Sequence, residues 1–430
     1  SAPTTPASTT PNCSGPCLRE HVAGAPGVVM KPTVLRARSV FPVDRPPIDN
    51  GCVAIEGDRI VAVGPAKSFA GPVHNLGEVA LLPALVNAHT HLEFSRREVP
   101  LGSPGIDFVE WIRGAIAARA RQTGTKQAID GGLAECTACG VATVGEIVTT
   151  DPTDYPHGAT STKLVYFLEV IGFSRARAES ALAATLDRLN AWPAGASLGI
   201  SPHAPYTVSP ELLESLVSLA TARRLPVAMH LAESQAELEL LTSGGGPFRE
   251  LLKERSMWDD RVLDTVSGPI DYLRILSACP RTLVVHGNYL SGDEIDLLAE
   301  HRDRMSLVHC ARTHAFFQHD DFPLADLLQR GVHVALGTDS RASNPDLSMW
   351  REMQHVVAHH SGVSPDQVLR MGTLAAAEAL GVENEVGSIT PGKLANLVAM
   401  RCPGKTDLPE LFHRHEEPQK IWPSDGSDDS

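Results

Sequence analysis

The feature of this sequence that most limits its fold is a repeated alternation of short apolar runs with amphipathic stretches. Each run has the length and composition of a buried strand, and most of the stretches between them have helical periodicity. Eight such runs within residues 79–340 match a (β/α)₈ barrel in number and in size. The runs are Ala80–His89, Ala142–Ile147, Leu164–Val170, Ser197–Ser201, Pro226–Leu231, Thr282–His286, Met305–His309 and His333–Gly337. The predicted helices include Ile106–Arg121, Ala176–Asn190, Pro210–Ala222, Asp293–Glu300, Pro323–Gln329 and a last one over Ser364–Leu380.

A doubly wound sheet would alternate in the same way, so the positions of the polar residues have to separate the two folds. Side chains suited to chemistry stand at or just after the ends of six of the runs. In a barrel the carboxyl ends of the strands meet at one mouth, where active sites are built, whereas an open sheet spreads them along an edge. We therefore predict a TIM-like (β/α)₈ barrel. The residues at these strand ends are His89, His91, His203, His230, His286, His309 and Asp339.

Short β-rich runs broken by Asn-Gly and Gly-Pro signals lie before the barrel, and a similar segment follows it. We predict a small β-sandwich domain built from both chain ends, residues 28–80 and 381–425, around a barrel of residues 81–380. Residues 1–27 are a mixture of Ser, Thr, Pro, Ala and Gly. Such a composition cannot form a core and predicts a flexible tail.

Composition narrows the class of partner. The chain has 37 Lys and Arg against 51 Asp and Glu, a net charge of −14, which argues against binding to nucleic acid or to an anionic membrane. It contains no apolar run of about 18 residues, so no transmembrane helix is predicted. Eight cysteines in 430 residues do not indicate a disulfide scaffold, and we expect a reduced, cytoplasmic setting. The predicted partner is a small-molecule substrate, and the oligomeric state stays open, with a homodimer as one candidate.

A metal site is predicted where the first strand ends. Residues two apart in an extended segment point the same way, so His89 and His91 direct both imidazoles at one point. His230 and Asp339 come from strand ends that converge on the same mouth. Three neutral imidazoles and one carboxylate suit one divalent transition metal, zinc or iron. Such a metal would also lower the pKa of a bound water.

Several motifs resemble those of the amidohydrolase superfamily. Leu82–His91 is similar to its first-strand motif, and His230–Glu233 resembles the H-x-x-E of its mononuclear deaminase branch. Val285–Gly287 and Gly337–Ser340 resemble its sixth- and eighth-strand motifs, and Gly387–Val398 resembles the segment that returns to its β domain. The resemblance extends over roughly residues 28–400 and implies a metal-dependent deaminase or a related chlorohydrolase-like enzyme.

The resemblance also implies roles for individual residues. Glu233 would shuttle a proton to a ring nitrogen of the substrate, and His286 would orient the attacking water. Asp339 would take a proton from that water and help to release ammonia. The fourth strand ends in Ser-Pro-His, without the lysine of the binuclear members, so one metal is implied. The ligands of that metal would be His89, His91, His230 and Asp339.

The substrate is predicted only as a class, a nucleoside-like or aminated heterocycle. His203 lies in a segment that resembles a substrate contact of the adenosine-type deaminases. The residues around Trp111 resemble the aminofutalosine deaminases, in which an apolar wall would face an aryl group, so aminodeoxyfutalosine is one candidate. The loop after the seventh strand departs from the usual C-P-x-S-N-like run, and we interpret its Arg312 and His314 as marking a different substrate pocket.

Three other functions were weighed. The same metal site could support dechlorination, or hydrolysis of a guanidine or an amide. A scaffold without catalysis is also open, although scaffolds tend to lose ligands and all four are present. A cytidine-deaminase-type site would use the His91-Leu92-Glu93 and Cys136–Cys139 spacings, but Glu135 stands where that motif has proline. That alternative also leaves His230 and Asp339 without a role.

Overall fold

The computed structural model describes residues 32–156, 160–404 and 407–422. The tail predicted for residues 1–27 lies outside them, as do residues 28–31 and 423–425 of the predicted β domain. The described strands, in chain order, are β1 (Thr33–Val40), β2 (Ile48–Glu56), β3 (Arg59–Pro65), β4 (His74–Asn75), β5 (Val79–Pro83), β6 (Leu85–Thr90), β7 (Val141–Val148), β8 (Lys163–Val170), β9 (Ser197–Pro202), β10 (Val227–Leu231), β11 (Thr282–His286), β12 (Met305–His309), β13 (His333–Leu336), β14 (Leu397–Arg401) and β15 (Gln419–Trp422).

The helices connect these strands in the alternation that the sequence predicts. None of them, over the residues that are described, is both long enough and apolar enough to cross a membrane. They are α1 (Phe108–Arg121), α2 (Thr125–Ala138), α3 (Arg175–Ala191), α4 (Pro210–Arg223), α5 (Gln235–Ser243), α6 (Gly246–Glu254), α7 (Pro269–Leu276), α8 (Gly292–Glu300), α9 (Ala311–Phe317), α10 (Leu324–Gln329), α11 (Met349–His359), α12 (Pro365–Met371), α13 (Leu374–Leu380) and α14 (Leu408–Phe412).

Strands β6 to β13 form an eight-stranded sheet in which every strand pairs in parallel with its neighbours in sequence. A parallel bridge between Thr90 and Asp339 joins the end of β6 to the residues after β13, and the Asp339 N–H donates to the His89 carbonyl at 3.1 Å. The sheet is thereby closed into a barrel, and the predicted fold class is confirmed. Closure places the H-x-H segment beside Asp339.

The two chain ends share the other sheet, which has the order β15-β14-β5-β1-β2-β3 with β4 beside β1. The two parts are joined by hydrogen bonds, because β14 from the C-terminal part pairs antiparallel with β5 from the N-terminal part. A buried apolar cluster that includes Leu35, Val53, Leu81, Ile389 and Leu397 joins both parts. The small β part is therefore assembled from residues more than 300 positions apart in sequence.

The first predicted strand, Ala80–His89, is two strands in the structure. β5 belongs to the terminal sheet and β6 to the barrel, and the chain passes between them at Ala84. The Ala84 N–H donates to the Asn396 carbonyl on the sheet side, and the Leu85 N–H donates to the Gly140 carbonyl on the barrel side, both at 2.9 Å. Both strands are buried on both faces, so the apolar run continues from one into the other. The sequence pattern therefore does not change where β5 ends and β6 begins.

The last predicted helix, Ser364–Leu380, is also divided. α12 ends at Met371 and α13 begins at Leu374, with Gly372 and Thr373 between them. The Gly372 carbonyl is turned away from the helix and accepts from the Val86 N–H of β6 at 3.0 Å. A contact with a strand nearly 300 residues earlier therefore divides a segment whose own sequence favours one continuous helix.

Gly145 of β7 tests how closely the barrel is packed beneath its mouth. A Cβ on Gly145 would clash with the Ala88 carbonyl oxygen and lie 2.7 Å from the Leu380 side chain. Overpacking a core typically destabilises by about 1–3 kcal/mol. We expect Gly145→Ala to lower the free energy of unfolding by about that amount in urea denaturation.

The matched control is Gly131→Ala in α2, where an added Cβ meets no atom within 4 Å. Alanine is the better helix former, so this variant should be more stable than wild type by about 0.5–1 kcal/mol. Equal stability changes in the two variants would contradict the close packing inferred at Gly145.

Candidate metal centre and active site

Three histidines meet at the mouth of the barrel. One ring nitrogen from each of His89, His91 and His230 lies within 4.8 Å of the other two, and all three residues are buried. The Nε2 atoms of His91 and His230 are 3.3 Å apart. His89 lies in β6, His91 follows directly after the end of β6, and His230 lies in β10. This is the only such group of metal-competent side chains found among the described residues.

Asp339 adds a carboxylate to this group. Its Oδ1 lies 3.9 Å from His89 Nε2 and 3.8 Å from His91 Nε2. Its Oδ2 accepts a hydrogen bond from the Ser343 hydroxyl at 2.9 Å, so the two oxygens have different surroundings. Asp339 has a φ of +57°, a left-handed backbone that residues with a side chain adopt uncommonly. The backbone bond to His89 holds it there.

Hydrogen bonds fix which nitrogen of His230 faces the group. His230 Nδ1 lies 2.8 Å from the His203 carbonyl, which can only accept, so Nδ1 carries the proton. The lone pair of the neutral ring is therefore on Nε2, on the side of His91. A backbone or carboxylate partner on the second nitrogen is the usual way in which a metal-binding imidazole is oriented.

The group fits a divalent cation. Burial is the main cause that lowers the pKa of His89 and of His91 well below the ordinary value, and the neighbouring histidines lower them further. Burial also lowers the pKa of His230 to about 4. The imidazoles are therefore neutral at pH 7, the form that binds metals. Among the described residues His89 Nε2 has no hydrogen-bond partner, although such buried atoms normally have one.

Glu233 and His286 lie beside the histidine group. Glu233 Oε1 is 3.3 Å from His286 Nε2, and both side chains are nearly inaccessible to solvent. Burial raises the pKa of Glu233 well above its ordinary value, with smaller contributions from Asp339 and Glu237 in the same direction. Burial therefore favours the protonated form of Glu233. Burial lowers the pKa of His286 well below its ordinary value, so that ring is neutral.

A cavity of about 160 Å³ opens from this polar group to the surface. Its inner end is formed by the side chains just described. Its walls come from α1, α6 and the loop after β9, and they are mainly apolar. The Tyr206 and Phe248 rings stack at 3.9 Å between centroids along one wall. The apolar side chains along the walls include Phe94, Trp111, Ile116, Phe248, Leu251 and Met257.

The structure brings two of the four predicted substrate contacts to this cavity. His203 lines it, with its Nδ1 2.7 Å from the Thr207 hydroxyl, and Trp111 lines it while its indole N–H donates to the Ala342 carbonyl at 3.0 Å. Arg312 and His314 do not line it. Arg312 instead forms a bidentate ion pair with Asp346 at 2.6 and 3.0 Å.

His314 lies in α9. Its ring centroid is 5.7 Å from that of His309 and 5.8 Å from that of Phe322. Burial lowers the pKa of His314 to about 4, so the ring is neutral at pH 7. The four sequence-predicted metal ligands are thus brought together, as are Glu233 and His286, whereas Arg312 and His314 are held elsewhere.

Buried carboxylates that support the site were missed in the sequence. Glu146 of β7 accepts from the Thr90 hydroxyl at 2.7 Å and from the Leu92 N–H at 3.0 Å, on either side of His91. Glu237 accepts from two backbone N–H groups next to Glu233. The one signal for Glu146 is an acidic residue inside an apolar run, and the signal for Glu237 is its position three residues after Ser234.

A barrel with a buried group of neutral imidazoles and a carboxylate at its carboxyl-end mouth is the arrangement of a metal-dependent hydrolase. The sequence profile of the Amidohydrolase family matches residues 80–414. Because this match extends over most of the chain, the chain belongs to the amidohydrolase family. It is accordingly a hydrolase that acts on C–N bonds.

Individual relatives extend the comparison. The 5-methylthioadenosine/S-adenosylhomocysteine deaminase of Syntrophobacter fumaroxidans is 28% identical over 389 residues, which are 82% of this chain and 80% of that protein. The aminodeoxyfutalosine deaminase of Deinococcus radiodurans is 28% identical over 368 residues, 79% of this chain and 82% of that protein. The Helicobacter pylori aminofutalosine deaminase structure with methylthio-coformycin has a TM-score of 0.76 at 20% identity, and the match covers 90% of this chain and 100% of that chain. This last similarity supports the fold.

The assignment of the metal ligands can be tested by measuring metal content. We expect His230→Ala and Asp339→Ala to lose most of the metal that wild type retains on purification, because each removes one side chain from a group that shares a single position. The measurement is elemental analysis of the purified proteins. Full metal content in both variants would contradict the assignment.

The control for this test is His309→Ala. His309 stands at the corresponding end of β12 and is equally buried, but its ring packs on Phe322 at 3.8 Å between centroids, outside the histidine group. This variant should keep the wild-type metal content per folded chain. Loss of metal from His309→Ala as well would show that removing any buried side chain near the mouth releases the ion.

Proposed function

We propose that the protein is a metal-dependent hydrolytic deaminase of adenine nucleosides that carry an apolar 5′ substituent. The observation that carries this proposal is the contact between Glu233 and His286 at the inner end of an apolar cavity, beside the histidine group. Two curated relatives that match about four-fifths of the chain are named as deaminases of 5-methylthioadenosine/S-adenosylhomocysteine and of aminodeoxyfutalosine, which supports deamination as the reaction.

One divalent ion, zinc or iron, fits the set His89, His91, His230 and Asp339. When bound there, it would supply the Lewis acidity that makes a water reactive at neutral pH. The end of β9 offers Ser201, Pro202 and His203, with no lysine to bridge a second ion. The proposed stoichiometry is therefore one ion per chain.

The side chains at the inner end can carry the protons of a deamination. Replacing the amino group of a purine by oxygen requires a proton on the adjacent ring nitrogen as the ring carbon becomes tetrahedral. Glu233 lines the cavity and burial raises its pKa, which favours the protonated form, so it can donate a proton to the ring nitrogen. His286 contacts the same carboxyl group and can hold the incoming water by a hydrogen bond. Asp339 also lines the cavity and can accept the proton that the water loses and pass it to the amino group, which leaves as ammonia.

The walls of the cavity suit a substituent that is mainly apolar. Trp111, Phe248 and Leu251 offer ring and aliphatic surface where the 5′ side of a bound nucleoside would lie. Arg119 and Arg255 are the cations on the cavity wall, but Arg119 is held by the buried carboxylate of Glu93 at 2.7 Å. Aminodeoxyfutalosine and 5′-methylthioadenosine are therefore the candidates that we place first.

The proposed role of Glu233 predicts the behaviour of one conservative variant. Glu233→Gln keeps the shape of the side chain and a hydrogen-bond donor, but it cannot transfer a proton. General acid–base groups typically contribute about 10²–10⁴-fold to the rate. We expect kcat to fall at least about a hundredfold, roughly 2.7 kcal/mol of transition-state stabilisation, with unchanged metal content.

The assay is ammonia release from a panel of adenosine, 5′-deoxyadenosine, 5′-methylthioadenosine, S-adenosylhomocysteine and aminodeoxyfutalosine, with chloride release from a chlorinated triazine measured in parallel. Activity of Glu233→Gln within about tenfold of wild type would remove Glu233 from the mechanism. Loss of the metal with the substitution would make Glu233 a ligand. Turnover of the triazine alone would replace the deaminase proposal by a dechlorinase.

A further inference from the structure

Glu237 is a buried carboxylate in the first turn of α5, close to the proposed proton donor but outside the cavity wall. Its side chain is completely shielded from solvent. One carboxylate oxygen accepts the Ala232 N–H at 2.7 Å, and the other accepts the Glu233 N–H at 3.1 Å. Each oxygen therefore holds one peptide group of the turn that joins β10 to α5.

This turn has an unusual backbone. Ala232 has a φ of +52°, a left-handed conformation that alanine adopts only where the surrounding structure holds it. The residue that follows is Glu233, so the direction of the Glu233 side chain depends on this conformation. The two hydrogen bonds from Glu237 are on the peptide groups before and after Ala232, where they oppose relaxation of the turn.

The carbonyl of Glu233 is held as well. Asn288 Nδ2 donates to it at 3.0 Å, and Asn288 follows two residues after His286. Both peptide groups of Glu233 are therefore fixed, one by Glu237 and one by the loop that follows His286. The Glu233 side chain attached to this backbone lies 3.3 Å from His286.

We propose that Glu237 is a positioning residue that acts on catalysis through Glu233, by holding the β10–α5 turn in the conformation that directs the Glu233 carboxyl group at the substrate. This inference rests on the proposed function. It assigns Glu237 a role that a glutamate in a helix cap does not ordinarily have. A cap stabilises a helix, whereas this carboxylate holds two residues that precede the cap residue Ser234.

The chain offers a closely matched control in Glu294. It occupies the same position in the first turn of α8, three residues after the cap residue Ser291, and it is also buried. Its carboxylate accepts the N–H of Ser291 itself at 2.6 Å, an ordinary capping box. Glu237→Gln and Glu294→Gln therefore remove the same chemical group from the same helix position, and only the first removes it from the turn that carries Glu233.

The experiment compares the two variants with the adenine nucleoside that wild type deaminates fastest in the panel above. An amide has one acceptor oxygen, so Glu237→Gln leaves one of the two N–H groups facing an NH₂ group. We expect kcat to fall at least about tenfold in Glu237→Gln, with KM within about threefold of wild type and unchanged metal content. Glu294→Gln can keep its single capping bond, as Gln367 does in the capping box of α12, and should leave kcat within about twofold.

A double-mutant cycle shows whether Glu237 acts through Glu233. In a Glu233→Gln background, the second substitution Glu237→Gln should change kcat by less than about threefold, because the group that it positions is already gone. If Glu237→Gln lowers kcat by the same factor in both backgrounds, the inference is overturned, and the fall in kcat reflects general damage to the fold. A kcat of Glu237→Gln matching that of Glu294→Gln would overturn it too.

A second pair of variants covers the case in which Glu237→Gln does not fold. Glycine adopts a positive φ without strain, so adding Ala232→Gly should restore the folding of Glu237→Gln. It should not restore the hydrogen bonds by which the Glu237 carboxylate holds the turn before α5. The comparison is then Ala232→Gly against Ala232→Gly/Glu237→Gln, with the same expected fall in kcat, and equal kcat values would overturn the inference. If wild type deaminates no nucleoside, the proposed function fails and the inference falls with it; if wild type is active and the cycle is additive, the inference alone fails.

Discussion

The structure depends on the convergence of buried, neutral imidazoles on one carboxylate where the barrel closes. His89 lies in the first barrel strand, His91 follows directly after it and Asp339 follows the last strand, so their 3.8–3.9 Å separations exist only because β6 and the segment after β13 are joined. Burial keeps the rings uncharged, and His89 Nε2 has no hydrogen-bond partner among the described residues. The closing contact is thus also the contact that assembles the site.

Three buried carboxylates support the loops around this group in the same way. Glu146 accepts the backbone N–H of Leu92, Glu237 accepts those of Ala232 and Glu233, and Glu352 accepts that of Arg312. Burial, opposed by these hydrogen bonds, raises the pKa of Glu146 and Glu237 to about 8 and that of Glu352 to about 7. Where a chain leaves a strand, its N–H groups lose their sheet partners, and a buried carboxylate satisfies them while fixing the loop.

The sequence predicted the barrel and the members of its polar mouth because both depend on local periodicity and on the position of a residue at a strand end. It did not predict what depends on distant partners. Arg312 was expected at a substrate pocket, but its guanidinium is paired with Asp346, 34 residues away. The change of sheet at Ala84 is marked by a bond to Asn396. Glu237 has the spacing of a helix cap, and only the folded turn shows which N–H groups it accepts.

The side chains at the inner end of the cavity and those along its walls are stabilised by different kinds of interaction. As a result, the residues that would carry out the reaction differ from those that would select the substrate. At the inner end, directional hydrogen bonds fix Glu233, His230 and Asp339, so small displacements there would change the reaction. Along the walls, side chains of α1 and α6 make non-directional apolar contacts, which tolerate changes of size and shape far better. Under the proposed function, substitutions on those two helices would alter which 5′ substituent is accepted without disturbing the groups proposed to transfer protons. The names of the two curated relatives, one for a methylthio or homocysteine nucleoside and one for aminodeoxyfutalosine, are consistent with such a division within one family.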